Sequence, residues 1–190
     1  MSDIAILKEM IRDCAIVELE YKKEYKRDSY LLKLTEPQDN YSFVVNGMPK
    51  PDEVIVINLD KFFDVRKIFT GSKGECKRAD FIIIANTPTE KVILCLEMKK
   101  GKDSKTSITK QLKGAKCFVS YCREIGREFW KQNKPDFLQD YQYRFVSIKN
   151  ISISKTNTSS PKFSQKSEIH DQPEKMLKIS AKAKHFQELI

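Results

Sequence analysis

Two short apolar runs with a polar segment between them constrain the fold of this 190-residue chain more than any other feature. The first run is Phe-Ile-Ile-Ile-Ala at 81–85, and the second is Val-Ile-Leu-Cys-Leu at 92–96. Each run is too short to cross a membrane, and bounded apolar runs of this length indicate buried strands. The segment 86–91 contains Pro88 and is typical of a hairpin loop. The sequence therefore predicts an antiparallel pair of strands over 80–85 and 92–99.

The register of this pair follows from the loop. If 86–91 form the loop, Ala85 faces Val92, and Asp80 falls opposite Glu97. Directly opposed residues share a face of a sheet, and Lys99, two residues beyond Glu97, lies on that face too. The other face of the second strand is apolar and carries Val92, Leu94, Leu96 and Met98. We therefore expect two carboxylates and a lysine to converge at one sheet edge, on the face opposite the core.

Carboxylate oxygens that can share a hard divalent cation, with a positive group beside them, are suited to chemistry at phosphate. An aspartate, a hairpin and then Glu-Met-Lys resembles the PD-(D/E)XK nuclease superfamily, in the residues Asp80 and Glu97-Met98-Lys99. Ala79 stands where the family pattern has proline, and a literal Pro51-Asp52 lies far upstream. Three other Glu-x-Lys matches end no apolar strand, namely those that begin at Glu20, Glu24 and Glu75.

The resemblance implies both a fold and an activity. The fold would be α/β: a restriction-endonuclease-like αβα sandwich, with a mixed central sheet flanked by helices, in a single domain over 1–190. The activity would be that of a Mg²⁺- or Mn²⁺-dependent nuclease that hydrolyses the phosphodiester bonds of nucleic acid, with DNA favoured over RNA as the substrate. Asp80, Glu97 and the backbone carbonyl of Met98 would hold the metal, and Asp80, Glu97 and Lys99 would be catalytic. Many members of the superfamily act as dimers or within larger complexes, so the resemblance also implies a homodimer or a larger complex as an expected state.

Charge is distributed unevenly along the chain. The net charge is +9, yet residues 99–134 alone hold 11 Lys and Arg against 3 Asp and Glu, a net of +8. A basic field beside a pair of carboxylates indicates a polyanionic partner such as nucleic acid. The residues predicted to bind it are Lys100, Lys102, Lys105, Lys110, Gln111 and Lys113. Gln111 also resembles a glutamine that exonuclease-like members of the superfamily carry on the helix after Glu-x-Lys. The alternative is an ordinary exposed helix residue.

Two helices are predicted to flank the hairpin. The first covers 3–26, where apolar residues recur at helical spacing. Some members of the superfamily carry a further acid on their first helix, near the metal, and the resemblance makes Glu18 and Glu20 the candidates for it here. The alternative is that both glutamates are solvated. The second helix starts at Ser104 or Thr106 and ends at Gly126. Residues 54–59 are expected to form a central strand, and 155–172 a mobile basic loop.

The remaining composition indicates a cytoplasmic protein. Five cysteines without a Cys-x-x-Cys pair, together with two histidines, support neither a disulfide framework nor a structural zinc site. The N-terminus is not typical of a signal peptide, and no apolar run has the length of a transmembrane helix. No membrane partner is expected.

Two alternatives to the nuclease interpretation remain at this stage. One is a protein of the same fold that binds nucleic acid, or acts as a scaffold, without cleaving it. The other is a structural ion pair of Asp80, Glu97 and Lys99 at a sheet edge, with a basic surface that binds an acidic protein.

Overall fold

A computed structural model describes residues 1–24, 27–36, 41–61, 65–99, 101, 104–130, 136–149 and 169–190. Within these residues the chain is an α/β protein with two mixed sheets. The helices are α1 (Asp3–Met10) and α2 (Lys105–Phe129). The strands are β1 (Glu20–Glu24), β2 (Arg27–Glu36), β3 (Tyr41–Met48), β4 (Val54–Asn58), β5 (Phe81–Asn86), β6 (Lys91–Lys99), β7 (Gln142–Lys149), β8 (Leu177–Ile179) and β9 (Ala183–His185). None of the described helices combines the length and apolar character needed to span a bilayer.

The larger sheet has five strands in the order β4-β5-β6-β7-β8. The first three strands are antiparallel neighbours, and β7 joins β6 in parallel after the α2 crossover. The smaller sheet has the order β1-β2-β3-β9, and only its β3–β9 pair is parallel. The mixed central sheet predicted from the sequence is therefore present.

The two faces of the five-stranded sheet are covered differently. On one face, Ile82, Ile93 and Cys95 pack with apolar residues of α1 and α2. On the other face, Ile83 and Leu94 pack with apolar residues of the four-stranded sheet. The expectation of helices on both faces is wrong for the described residues, since the four-stranded sheet covers the second face. Alternate residues of β2 and β3 are buried, and this period of two is that of a strand with one buried face.

The predicted first helix is too long. Helix α1 ends at Met10, a short 3₁₀ turn covers Asp13–Ala15, and β1 begins at Glu20. Strand β4 lies at the edge of its sheet rather than in its centre, so its outer backbone groups need partners. Residues 16 and 17 supply them: Ile16 bridges Ile57, and the Val17 N–H donates to the Val56 carbonyl at 2.9 Å.

Helix α2 begins where the sequence predicts. Ser104 is its N-cap, and the Ser104 Oγ accepts from the Ser107 N–H at 3.1 Å. Gly114 allows α2 to approach the chain before β5, since a Cβ there would lie 1.8 Å from the Lys77 carbonyl oxygen. This close approach brings the first half of α2 over the beginning of β5.

Candidate functional site

The predicted hairpin register is confirmed. Ala85 pairs with Val92 and Phe81 with Leu96, so Asp80 is placed next to the end of β6. The Asp80 carbonyl accepts from the Leu59 N–H at 2.9 Å, and the Met98 N–H donates to the Asp80 Oδ2 at 2.6 Å. The carboxylate thus extends the ladder beyond the last backbone pair, and this fixes its position.

The sequence analysis expected Asp80 and Glu97 on the face opposite the core. This expectation is wrong, because that face is itself covered by α2. Alternate residues of β5 and β6 on this face, Ile82 and Cys95 among them, belong to the helix-covered core. Glu97 is completely buried, and its Oε1 lies 2.6 Å from the Nζ of Lys99. Lys99 retains 24% of its side-chain exposure. The structure therefore unites the predicted glutamate and lysine in one ion pair at the end of β6.

Burial raises the pKa of Asp80 to about 7. The Met98 N–H and the charge of Lys99 act in the opposite direction, and the negative charges of Asp60 and Glu36 raise the pKa further. In the absence of a cation the uncharged carboxyl is therefore favoured below about pH 7, and the two forms are comparably populated near that pH. A cation beside Asp80 would favour the charged form.

Two acids that the sequence analysis missed complete a cluster around Asp80. Carboxylate oxygens of Glu36, Asp60 and Asp80 all lie within 4.8 Å of one another. Glu36 ends β2, and Asp60 follows β4 in a turn in which its N–H donates to the Asn58 Oδ1 at 2.9 Å. Asp60 directly follows the strand predicted over 54–59, but no local pattern indicated that this strand and β2 end together.

A polar cleft of about 300 Å³ opens beside this cluster. It is lined by Asp60, Arg66, Cys76, Lys77, Arg78, Asp80 and Gln111. Gln111, predicted from the α2 sequence, thus reaches the same cleft as Asp80. Its Oε1 is buried and accepts no hydrogen bond from any residue that the structure describes. A polar atom in this state is suited to a ligand that carries a donor.

The predicted nucleic-acid-binding lysines have different environments. Lys105 is exposed at the first position of α2. Lys110 packs its side chain over Gly74, since a Cβ there would lie 2.7 Å from the Lys110 Cδ. Lys113 forms an ion pair with Glu174 at 2.6 Å. Lys100 and Lys102 lie outside the described residues.

The candidates for an additional acid, Glu18 and Glu20, are not on a helix. Glu18 precedes β1, Glu20 begins it, and both are exposed. Neither belongs to the acidic cluster. Their predicted position fails because α1 ends at Met10, and Glu36 of the second sheet approaches Asp80 instead.

The predicted basic loop falls largely outside the described residues, which resume at Ile169. His170 is buried rather than on the surface: its carbonyl accepts from the Phe145 N–H at 2.9 Å, and its Nε2 lies 3.0 Å from the Leu189 carbonyl. Residues 169–172 are therefore attached to the core at His170.

No family model, curated protein or solved structure matches the chain.

Proposed function

We propose that this protein is a metal-dependent nuclease of the PD-(D/E)XK type with a restriction-endonuclease-like core. The observation that carries the proposal is the position of Asp80. Its carboxylate is within 4.8 Å of those of Glu36 and Asp60, and it accepts the N–H of Met98, between Glu97 and Lys99. The mixed sheet and the parallel return through α2 agree with the predicted core.

The acidic cluster fits a divalent cation. An octahedral Mg²⁺ holds its oxygens at about 2.1 Å, which puts adjacent ligands about 3 Å apart. Carboxylate oxygens within 4.8 Å of one another could reach this spacing after small side-chain movements. Asp80 has its pKa raised by burial, which a cation would offset. Glu36, Asp60 and Asp80 would hold the metal on one side.

The end of β6 would supply further ligands. In an antiparallel ladder the N–H and C=O of one residue point to the same neighbouring strand. The Met98 N–H donates to Asp80, so the Met98 carbonyl is directed to the same side of β6. Glu97 would complete the set if its side chain exchanged Lys99 for the metal.

Hydrolysis of a phosphodiester forms a bond from water oxygen to phosphorus and breaks one P–O ester bond. A bound divalent cation supplies a lower pKa for the attacking water and offsets charge on the phosphate. Lys99 would orient the water and stabilise the added negative charge in the transition state. Gln111, with its buried amide oxygen in the same cleft, would position the substrate.

The basic side chains around the cleft would hold the nucleic-acid backbone. Arg66, Lys77 and Arg78 line the cleft together with the acids. Contacts of this kind to phosphate give affinity without reading the sequence of bases. DNA is the first substrate to test, both as single strands and as duplexes.

A second function is favoured by one observation, the 2.6 Å contact between Lys99 and the completely buried Glu97. The charge of a buried glutamate that already has a lysine partner is neutralised, so it requires no cation. In that case the basic surface would bind nucleic acid or an acidic protein without cleavage.

The test is incubation with Mg²⁺ or Mn²⁺ and a panel of single- and double-stranded DNA and RNA. The parent should cleave at least one member, and Asp80→Asn and Asp60→Asn should each abolish cleavage. Asp52→Asn is the matched control, because Asp52 is an exposed aspartate in a short turn before β4. Cleavage by Asp80→Asn at the parent rate would exclude the proposed site. A parent that cleaves nothing with either metal would favour the ion-pair alternative.

A further inference from the structure

A second cleft, of about 270 Å³, lies at the same end of the five-stranded sheet, next to the strands that follow the hairpin. Its polar lining consists of Lys99, Lys105, Ser147, Lys149, Lys178 and Ser180. Among the residues that the structure describes, no carboxylate lines it. The cleft is therefore distinct in charge from the acidic cluster around Asp80.

Strand register places these residues together. In the parallel ladders, Glu97 pairs with Ser147 and Ser147 with Lys178, and one step further Lys99 pairs with Lys149. These residues are on the helix side of the sheet, because their neighbours in the strands, Met98 and Ile148, are on the other side. The apolar face under α2 thus ends in two polar rows.

The lysines in these rows are close neighbours, so their positive charges repel each other. Lys99 and Lys149 are direct neighbours on adjacent strands, a position where like charges are destabilising. Glu97 neutralises Lys99. No carboxylate of a described residue pairs with Lys105, Lys149 or Lys178, so at least three positive charges face one cleft.

Two further features suit an anion. Helix α2 begins at this cleft, and the partial positive charge of its N-terminus adds to that of Lys105. Ser147 is only 6% exposed and lines the cleft from below, and Ser180 lies near its rim. Lysines with two hydroxyls form a donor set suited to a phosphate group.

We propose that this cleft, the lysine cleft, binds the terminal phosphate of a nucleic-acid strand. A terminal phosphomonoester carries about −1.5 to −2 charges at neutral pH, whereas each internal phosphodiester carries one. Three lysines with no carboxylate partner among the described residues therefore favour the strand end over an internal position. The inference rests on the proposed function only in taking nucleic acid as the partner, and binding at this cleft does not require cleavage.

The test measures binding of one short single-stranded oligonucleotide in three forms: with a 5′-phosphate, with a 3′-phosphate and with hydroxyls at both ends. EDTA is present throughout, so that no cleavage occurs. One phosphorylated form should bind about tenfold more tightly than the unphosphorylated form, as expected when two charge-assisted hydrogen bonds are added. Inorganic phosphate should compete with that form.

The double variant Lys149→Gln/Lys178→Gln should remove the preference for the phosphorylated end. Both side chains are exposed, so the variant should fold, and the unphosphorylated form should bind it almost as it binds the parent. Lys33→Gln is the matched control, since Lys33 is an exposed lysine of β2, outside both clefts. It should keep the full preference.

Equal affinity of the parent for all three forms would overturn the proposal, even if free phosphate binds. A preference that survives in the double variant would overturn it as well. A protein that cleaves but shows no preference retains the nuclease function and loses the lysine cleft. A protein that prefers phosphorylated ends but never cleaves retains the cleft and loses the nuclease function.

Discussion

The ionisation of Asp80 should make the stability of the metal-free protein fall as pH rises. Burial raises the pKa of this carboxyl from 3.8 to about 7 in the folded state. Below the pKa of the unfolded chain, Asp80 is protonated in both the folded and the unfolded state, so it does not reduce the free energy of unfolding. As pH rises through the folded pKa, the folded state must bury a charge that the unfolded chain exposes to water. The difference of about 3 pKa units corresponds to roughly 4 kcal/mol of lost stability above pH 7.

Asp80→Asn isolates this cost. The amide keeps an oxygen that can accept the Met98 N–H, and it cannot ionise. In EDTA at about pH 8.5 the variant should be more stable than the parent by up to about 4 kcal/mol, and at about pH 4 the two should be nearly equal. A substitution in the proposed catalytic centre would thus stabilise the protein.

A divalent cation should reduce the difference in stability between the two proteins at high pH. It binds the folded parent and adds RT ln(1 + [L]/Kd), or about 2.7 kcal/mol when the metal is at 100 times its Kd. The variant lacks the central carboxylate and should gain far less. The difference between the two proteins should therefore shrink when Mg²⁺ replaces EDTA.

The assay is urea unfolding followed by the fluorescence of Trp130, which packs partly against the core. Parent and Asp80→Asn are compared at several pH values, in EDTA and in Mg²⁺, and only differences between the two proteins are used, so that other titrating groups cancel. Asp52→Asn, an exposed aspartate, should stay within about 0.5 kcal/mol of the parent in each condition. If Asp80→Asn is less stable than the parent in EDTA at high pH, burial does not dominate at Asp80 and the reasoning is refuted.

Three further predictions concern the site and its support. Glu97→Ala should abolish cleavage, and Lys99→Ala should nearly abolish it while metal still binds by calorimetry; metal binding lost equally in both variants would contradict the separate roles. Gly114→Ala should destabilise the protein by about 1–3 kcal/mol in urea unfolding, because the new Cβ would overlap the Lys77 carbonyl. Gly101→Ala, with no atom within 4 Å of its Cβ position, is the control and should change little. Binding of nucleic acid should weaken with salt by about 0.7 to 0.9 log units per log unit of salt for each phosphate contacted, and an affinity independent of salt would exclude a backbone-binding surface.

Local pattern was sufficient for the hairpin and for α2. The runs at 81–85 and 92–96 are too apolar for any surface segment, and the loop between them fixes the register, so the pairing of Ala85 with Val92 could be obtained from spacing alone. Ser104 and the apolar periodicity after it define α2 in the same way. In each case all the information lies within one or two elements.

The rest of the site depends on packing between distant segments. Glu36 reaches Asp80 because the four-stranded sheet packs on the five-stranded sheet, and no periodicity within 27–36 indicates that contact. Helical spacing predicted that the first helix reaches residue 26, and this was wrong. Residues 16 and 17 instead form backbone contacts with the open edge of β4. The burial of His170 likewise depends on a distant segment, the C-terminal turn near Leu189, and no pattern around residue 170 indicates it.

Acidic and basic side chains occupy opposite halves of one end of the five-stranded sheet, and each half lines one of the two clefts. The acids lie at β4 and β5 with Glu36 of β2, the lysines lie at β6, β7 and β8, and Lys99 stands between them. Without a cation and above the folded pKa of Asp80, the acidic half would repel a phosphate backbone, whereas the lysine cleft would attract the terminal phosphate of a strand. A divalent cation at the acids would remove that repulsion. Asp80→Asn removes one of the negative charges, so at about pH 8.5 it should bind nucleic acid in EDTA at least as tightly as the parent, while cleavage in Mg²⁺ should be lost.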